Sequence, residues 1–291
     1  MSTLELEDIQ HILLTRTPAI TGRYEFLTFD TAAGGRAWLA ALIDRVQSAA
    51  EVQATMDRSD RWITLAFTWN GLRALGVSEE SLATFPDEFR EGMVARAGIL
   101  GDTGVNAPEH WVGGLAGDDL HAIAILFSRT DEHYRRSIAA HDDLLARTDG
   151  VRSLSYLDLN ATPPFDYAHD HFGFRDRLSQ PVMKGSGEEP TPGSGAALEA
   201  GEFILGYPDE NGPVVNLPQP EVLSRNGSYM AYRQLHEHVA VFRQYLRENA
   251  GSPDDEELLA AKFMGRWRSG APLVLSPDHD DEELGNDPER R

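Results

Sequence analysis

Residues 171–182 read HFGFRDRLSQPV, with one carboxylate, Asp176, between two guanidiniums, Arg175 and Arg177. Phe172 and Phe174 precede them, and Ser179, Gln180 and a proline follow. No amphipathic period runs through the segment. Charged groups this dense are costly to bury without specific partners, so the run reads as a site rather than a core element. Gly173 permits a tight backbone path. On an extended segment Asp176 points opposite to both arginines, so the three need not neutralise one another. A carboxylate aimed into an apolar pocket is well placed for proton transfer. Read from the residues alone, a surface ion-pair cluster ended by a proline turn is the alternative.

Other groups carry less chemistry. His169 and His171 could share one face of a strand, as metal ligands sometimes do, but no third ligand is evident. His236 and His238 stand two apart on an expected helix and should diverge. Gly185-Ser-Gly187 and Gly193-Ser-Gly195 lack the strand-to-helix context of a phosphate loop. Arg266-Trp-Arg268 reads as a surface or interface patch. There is no Gly-x-Ser-x-Gly elbow.

Composition narrows the classes. With 291 residues and 41% hydrophobic content, the chain can bury a sizeable core. A formal charge of −21, from 47 acidic and 26 basic residues, disfavours nucleic acid and anionic membranes as partners. There is no cysteine, which excludes disulfides, thiolate haem ligation and cysteine nucleophiles. The start, MSTLELEDIQ, has no basic region or long apolar run, and the apolar stretch 122–127 is too short to span a bilayer. A cytoplasmic location is the expectation.

The elements that must position these groups follow from periodicity. Tyr24–Phe29, Trp62–Trp69, Leu120–Phe127 and Ser153–Leu159 read as strands. Residues 35–48 read as a helix with Trp38, Leu39, Leu42, Ile43 and Val46 on its buried face. Thr130 is suited to cap a second helix whose Tyr134, Ile138, His141 and Leu145 share a face. The insert 71–118 holds short helical pieces, among them Glu79–Leu82 and Glu88–Arg96. Strand, helix, strand, insert, strand, helix, strand is the split βαβ order of a ferredoxin-like unit, here over residues 1–160. Beyond it, 201–207 and 228–233 look strand-like, and helices are expected after 233 and over 254–266. A second such unit is therefore expected over 161–291, incomplete, and ending in a solvated acidic tail at 278–291.

The signature segment, taken with several others, resembles the dye-decolourising peroxidases, which are haem enzymes that use hydrogen peroxide. The match lies in the glycine, two residues, aspartate pattern at Gly173–Asp176. It extends to LELEDIQHILLTR at 4–16, GEFILGYPDENG at 201–212, 226–246 and 260–277, in the family's order. The resemblance implies an α+β, dimeric ferredoxin-like fold whose second unit holds haem b. It implies that Asp176 accepts a proton from peroxide and returns it to the leaving oxygen, with a bulky aromatic donor oxidised in turn. Phe174, Asp176, Arg177, Ser179 and Gln180 become the residues expected against the haem.

Two departures stand out. The family commonly has glycine where this chain has Arg177, and a guanidinium there is suited to pair with a haem propionate. The family's proximal histidine and distal arginine belong to segments for which this sequence shows no match. Weak haem binding by these 291 residues alone is the expectation, and a haem-free partner subunit or fragment of the same fold is the alternative. A ferredoxin-like small-molecule binder is a weaker third reading. No membrane or nucleic-acid partner is expected, and a homo-oligomer is left open.

Overall fold

The computed structural model describes residues 3–15, 17–160, 169–176, 178, 180–190, 195–214 and 216–290. The chain divides into two compact units, Met1–Asn160 with Glu199–Met230, and Ala161–Leu198 with Ala231–Arg291.

The first unit is built on four strands, β1 (Thr21–Phe29), β2 (Arg61–Phe67), β3 (Ala122–Ser128) and β4 (Val151–Asn160), in the order β2-β3-β1-β4. All neighbours are antiparallel. Between the strands lie α1 (Ala32–Leu42), α2 (Ala49–Thr55), α3 (Trp69–Ala74), α4 (Glu79–Leu82), α5 (Asp87–Ala95), α6 (Ala97–Leu100) and α7 (Asp131–Arg147). This is the expected ferredoxin-like arrangement. Leu27, Phe29, Leu65, Ala122, Ala124, Leu126 and Val151 turn toward Trp38 and Leu42 of α1 and Leu144 of α7 to form the core. Thr31, Thr68 and Thr130 cap α1, α3 and α7 by accepting from Gly34 N, Gly71 N and His133 N. The helix expected over 35–48 ends at Leu42, and α2, opened by a Ser48/Glu51 capping box, is an element the periodicity did not announce.

The imperfect alternation of β4 has a local cause. Its register against β1 shifts between Phe26 and Leu27, so Leu154 is extra and the faces exchange there. The outer edge of β2 is closed by two side-chain amides. Gln47 accepts from Ile63 N at 2.9 Å and donates to Arg61 O at 3.2 Å. Gln10 accepts from Leu65 N at 2.9 Å and donates to Leu65 O at 3.0 Å. These amides occupy positions a fifth strand would otherwise take.

Residues 199–230, expected with the second unit, pack on the first. The reason is a polar knot at the N-terminal segment. Glu5 accepts from Arg225 Nη2 at 2.7 Å and from Asn226 Nδ2 at 2.8 Å, and Tyr207 donates to Asn226 Oδ1 at 2.7 Å. The hydrogen bonds from Arg225 and Asn226 hold the Glu5 carboxyl down at about 2. Neither 201–207 nor 228–233 forms a strand; the first opens with a short 3-10 turn at Ala200–Glu202.

The second unit holds α8 (Val239–Asn249), α9 (Pro253–Met264) and α10 (Glu282–Asn286). Its described residues pair only through isolated bridges, His169 with Arg175, Met183 with Leu198 and Arg266 with Pro272. Helix α10 corrects the expectation of a solvated tail: Asp281 caps it and Leu284 is buried. Among the described residues no helix is long and apolar enough to cross a membrane.

Two buried histidines make the first unit acid-sensitive. His141 has no hydrogen-bond partner on either ring nitrogen among the described residues and lies edge-on to Trp38, with ring centroids 6.5 Å apart. Burial lowers His11 and His141 from 6.5 to about 4; at His141 the nearby Asp142 opposes this and Arg23 adds to it. Such a group binds fewer protons folded than unfolded across that interval. Its contribution is intact above about 6.5 and is lost as pH falls toward 4. Each histidine should cost on the order of 3 kcal/mol over that range. Urea unfolding at pH 7 and pH 4.5 should show the loss, and His141→Leu should shrink it. An unchanged pH slope in His141→Leu would contradict this account.

Candidate functional site

The signature segment begins in a tight turn of the second unit. Gly173 N donates to Asp170 O at 3.0 Å, Asp170 N to Phe174 O at 2.8 Å, and the Asp170 side chain accepts from Phe174 N at 2.9 Å. Asp170 is thus a turn residue. Gly173 adopts φ +92°, and a Cβ there would stand 2.7 Å from Arg268 Nη1. The conformation therefore favours glycine, and a Cβ would oblige the Arg268 guanidinium to shift.

Phe174 is buried with Leu246 of α8 and Ala260 of α9, and Phe172 packs alongside. Arg268 crosses above it, its guanidinium 4.9 Å from the Phe174 ring centre. Arg268 donates to Phe172 O at 2.5 Å and pairs with Glu257 of α9. Arg175 N donates to Arg268 O at 3.1 Å. The Arg175 side chain donates from Nη1 to Gly285 O at 2.8 Å, Asn286 Oδ1 at 2.7 Å and Ser269 O at 3.3 Å. Of the patch expected at Arg266-Trp-Arg268, Trp267 is buried while both arginines are half-exposed and tied to backbone carbonyls. Arg266 closes its own turn on Gly270 O at 2.8 Å, Trp267 is buried and donates to Ser276 O at 2.6 Å, and Arg268 braces the signature.

The expected site residues meet different fates. Asp176 and Gln180 are exposed, and Phe174 is spent in the core. Arg177 and Ser179 lie outside the described residues. Within this unit, then, Asp176 does not face the enclosed apolar pocket expected of it. The described ones, Phe174, Asp176 and Gln180, do not by themselves enclose a haem. The roles of Arg268, Ser269, Gly285 and Asn286, whose contacts with the segment span 94 to 111 residues, were invisible to sequence reasoning because nothing local records them. The double glycine-and-guanidinium crossing leaves no local sequence signal.

His171 Nδ1 stands 3.0 Å from Glu237 Oε2. His236 and His238 precede α8 rather than riding on it, and their rings approach to 4.7 Å instead of diverging. Among the described residues there is no cluster of three metal-type ligands.

A second polar centre lies in the first unit. Arg23 Nε and Nη2 grip Asp158 at 2.7 and 3.2 Å, and Arg23 Nη1 stands 3.5 Å from Glu25. Ser153 donates to Glu25. Burial pushes the Glu25 carboxyl up, against the Ser153 hydrogen bond and the Arg23 charge. The floor formed by Arg23 and Glu25 underlies an open groove of about 490 Å³ bordered by Asp142, Arg152, Ser153 and Tyr156.

The fold agrees with comparisons to known proteins. Residues 8–151 match the family model of the DyP dimeric alpha+beta barrel domain. The chain is 31% identical over 289 residues to Peroxidase 2 of Mycetinis scorodonius, covering 99% of this chain and 54% of that protein. It is 30% identical to a dye-decolorizing peroxidase of Mycena epipterygia, covering 99% of this chain and 53% of the relative. In three dimensions it is similar to an ancestral D-type dye decolorizing peroxidase, with a TM-score of 0.86 and 28% identity over 99% of this chain and 63% of the other. A fungal DyP-type peroxidase from Auricularia auricula-judae superposes with a TM-score of 0.84, at 28% identity. The chain belongs to the dye-decolourising peroxidase family. It spans about half the length of the curated relatives it matches.

The brace around the signature sets a measurable cost. Gly173→Ala must strain a φ of +92° and displace Arg268 from Phe172 O. It should destabilise the second unit by roughly 1–3 kcal/mol. Urea unfolding followed by Trp267 fluorescence, with the other tryptophans replaced by phenylalanine, reads this. A variant as stable as its parent would show that the crossing is dispensable.

Proposed function

We propose that this chain contributes the signature-bearing part of a haem peroxidase that reduces hydrogen peroxide and oxidises aromatic donors such as dyes. The observation that carries the reading is the family membership along nearly the whole chain, together with an aspartate at position 176 in the family's pattern. Asp176 is the proton acceptor for peroxide in this reading, and an exposed carboxylate suits a wall of a site completed by other residues. Haem b supplies the redox chemistry. Phe174 supports Asp176 from the core, and Arg177, Ser179 and Gln180 are assigned to the haem side. The axial histidine is assigned to sequence outside these 291 residues.

The partners follow from the same reading: peroxide, an aromatic small molecule, and no nucleic acid or lipid surface, in keeping with a charge of −21. A cysteine-free chain is compatible with the cytoplasm and with a homo-oligomer. A haem-free fragment or partner subunit of the same fold is the second reading.

Haemin titration separates the two. The chain alone should show a weak Soret band and little dye oxidation. Co-expression with the region of a relative that this chain does not match should restore both. In that complex Asp176→Asn should lower peroxide-dependent turnover by roughly 10²- to 10⁴-fold. Unchanged turnover would remove Asp176 from the mechanism, and no haem uptake in the complex would favour the partner-subunit reading.

A further inference from the structure

A carboxylate on a loop samples many directions, and a proton acceptor works only in the few that face its substrate. The residue next to Asp176 is held along its whole length. Arg175 N is tied to Arg268 O at 3.1 Å, and its Cδ lies 3.1 Å from the position a Gly270 Cβ would occupy. Its Nη1 reaches three acceptors, Ser269 O, Gly285 O and Asn286 Oδ1, which are 94, 110 and 111 residues away. Two of these lie at the C-terminal end of α10, where carbonyls lack intrahelical donors and a cation is favoured. A Cβ at Gly270, whose φ is +96°, would crowd both the aliphatic stem of Arg175 and Leu178 Cδ2 at 3.1 Å, so both would have to give.

We propose that Arg175 is a positioning residue: its guanidinium bolts the signature segment to the 269–286 arm and thereby sets the direction in which Asp176 presents its carboxylate. This rests on the reading of Asp176 as proton acceptor for peroxide. Two arginines then divide the work. Arg268 holds the turn at Phe172 and Phe174 from above, and Arg175 holds the backbone next to the aspartate. The pattern of glycine, apolar residue, arginine and aspartate becomes a mechanical unit. Gly173 clears a path for Arg268, Phe174 anchors in the core, Arg175 locks the backbone, and Asp176 is left outward.

The test uses the whole chain labelled with carboxyl-¹³C aspartate, the Asp176 resonance being identified by its loss in Asp176→Asn. Arg175→Ala should move and narrow that resonance toward a mobile aspartate and speed exchange of the Arg175 amide by about tenfold or more. Arg175→Lys should largely restore both, because an ammonium can donate to the same three acceptors. Gly270→Ala, which disturbs the stem but keeps the charge, should act like Arg175→Ala and serves where the alanine variant does not fold. An Asp176 resonance unaltered in folded Arg175→Ala or Gly270→Ala, or a lysine variant no better than alanine, would overturn the proposal. None of these readouts involves peroxide, so failure of the peroxidase reading would appear in the turnover of Asp176→Asn and leave them unmoved.

Discussion

Antiparallel pairing of β1 on both of its edges is the constraint on which the first unit depends. Thr21 to Leu27 face Ser128 to Ala122 of β3 on one side, and the whole strand faces β4 on the other. Because side chains alternate, that register sends Leu27 and Phe29 to the helix-covered core together with Ala122, Ala124 and Leu126. It also brings Arg23 and Glu25 beneath α7, where Asp158 and Ser153 of β4 must satisfy them. A slip by one residue would strand a guanidinium and a carboxylate in an apolar layer. The pairing therefore specifies the core and the buried ion network at once, and the network strengthens the specification because only one register satisfies it.

The described part of the second unit relies on a different device. Without a sheet to carry backbone hydrogen bonds, it satisfies its turns with guanidiniums. Arg175, Arg266 and Arg268 each donate to backbone carbonyls, and two small apolar clusters around Trp267 and Phe174 fill the spaces between. Arginine suits this role because its fork is planar, always charged and weakly hydrated compared with an ammonium. The signature aspartate is thus presented by a frame of cations. A chain with a net charge of −21 places three of its 26 basic residues in this small frame.

Family membership and local structure agree in an instructive way. The resemblance singles out Gly173 and Asp176, and the fold supplies separate physical reasons for the residues between them. Phe174 is a core residue and Arg175 a brace, so the spacing of the pattern follows from the mechanics of the turn as well as from chemistry.

Much of the first unit was legible before any coordinates. The four strands follow from runs such as AIAILF, whose β-branched and aromatic content suits a pleated, buried surface. Thr130 as a cap and the stripe Tyr134, Ile138, His141, Leu145 on α7 follow from rules acting within one or two turns. Strand-like composition misled at 201–207 and 228–233, where tertiary contacts override propensity: Glu5, far back in the chain, claims Arg225 and Asn226 and holds this stretch as loops and turns. The acidic tail misled for a related reason, since Leu284 finds a cluster with Trp267 that composition cannot announce. By itself the sequence determined which segments could be strands or helices and where an aspartate signature lies, because those properties depend on neighbours a few residues apart. Only the tertiary structure decided that Arg175 meets Gly285 and Asn286, that Arg268 crosses Gly173, and that Asp176 faces outward. Those facts depend on which distant acceptors are brought within 3 Å, and no local pattern records them.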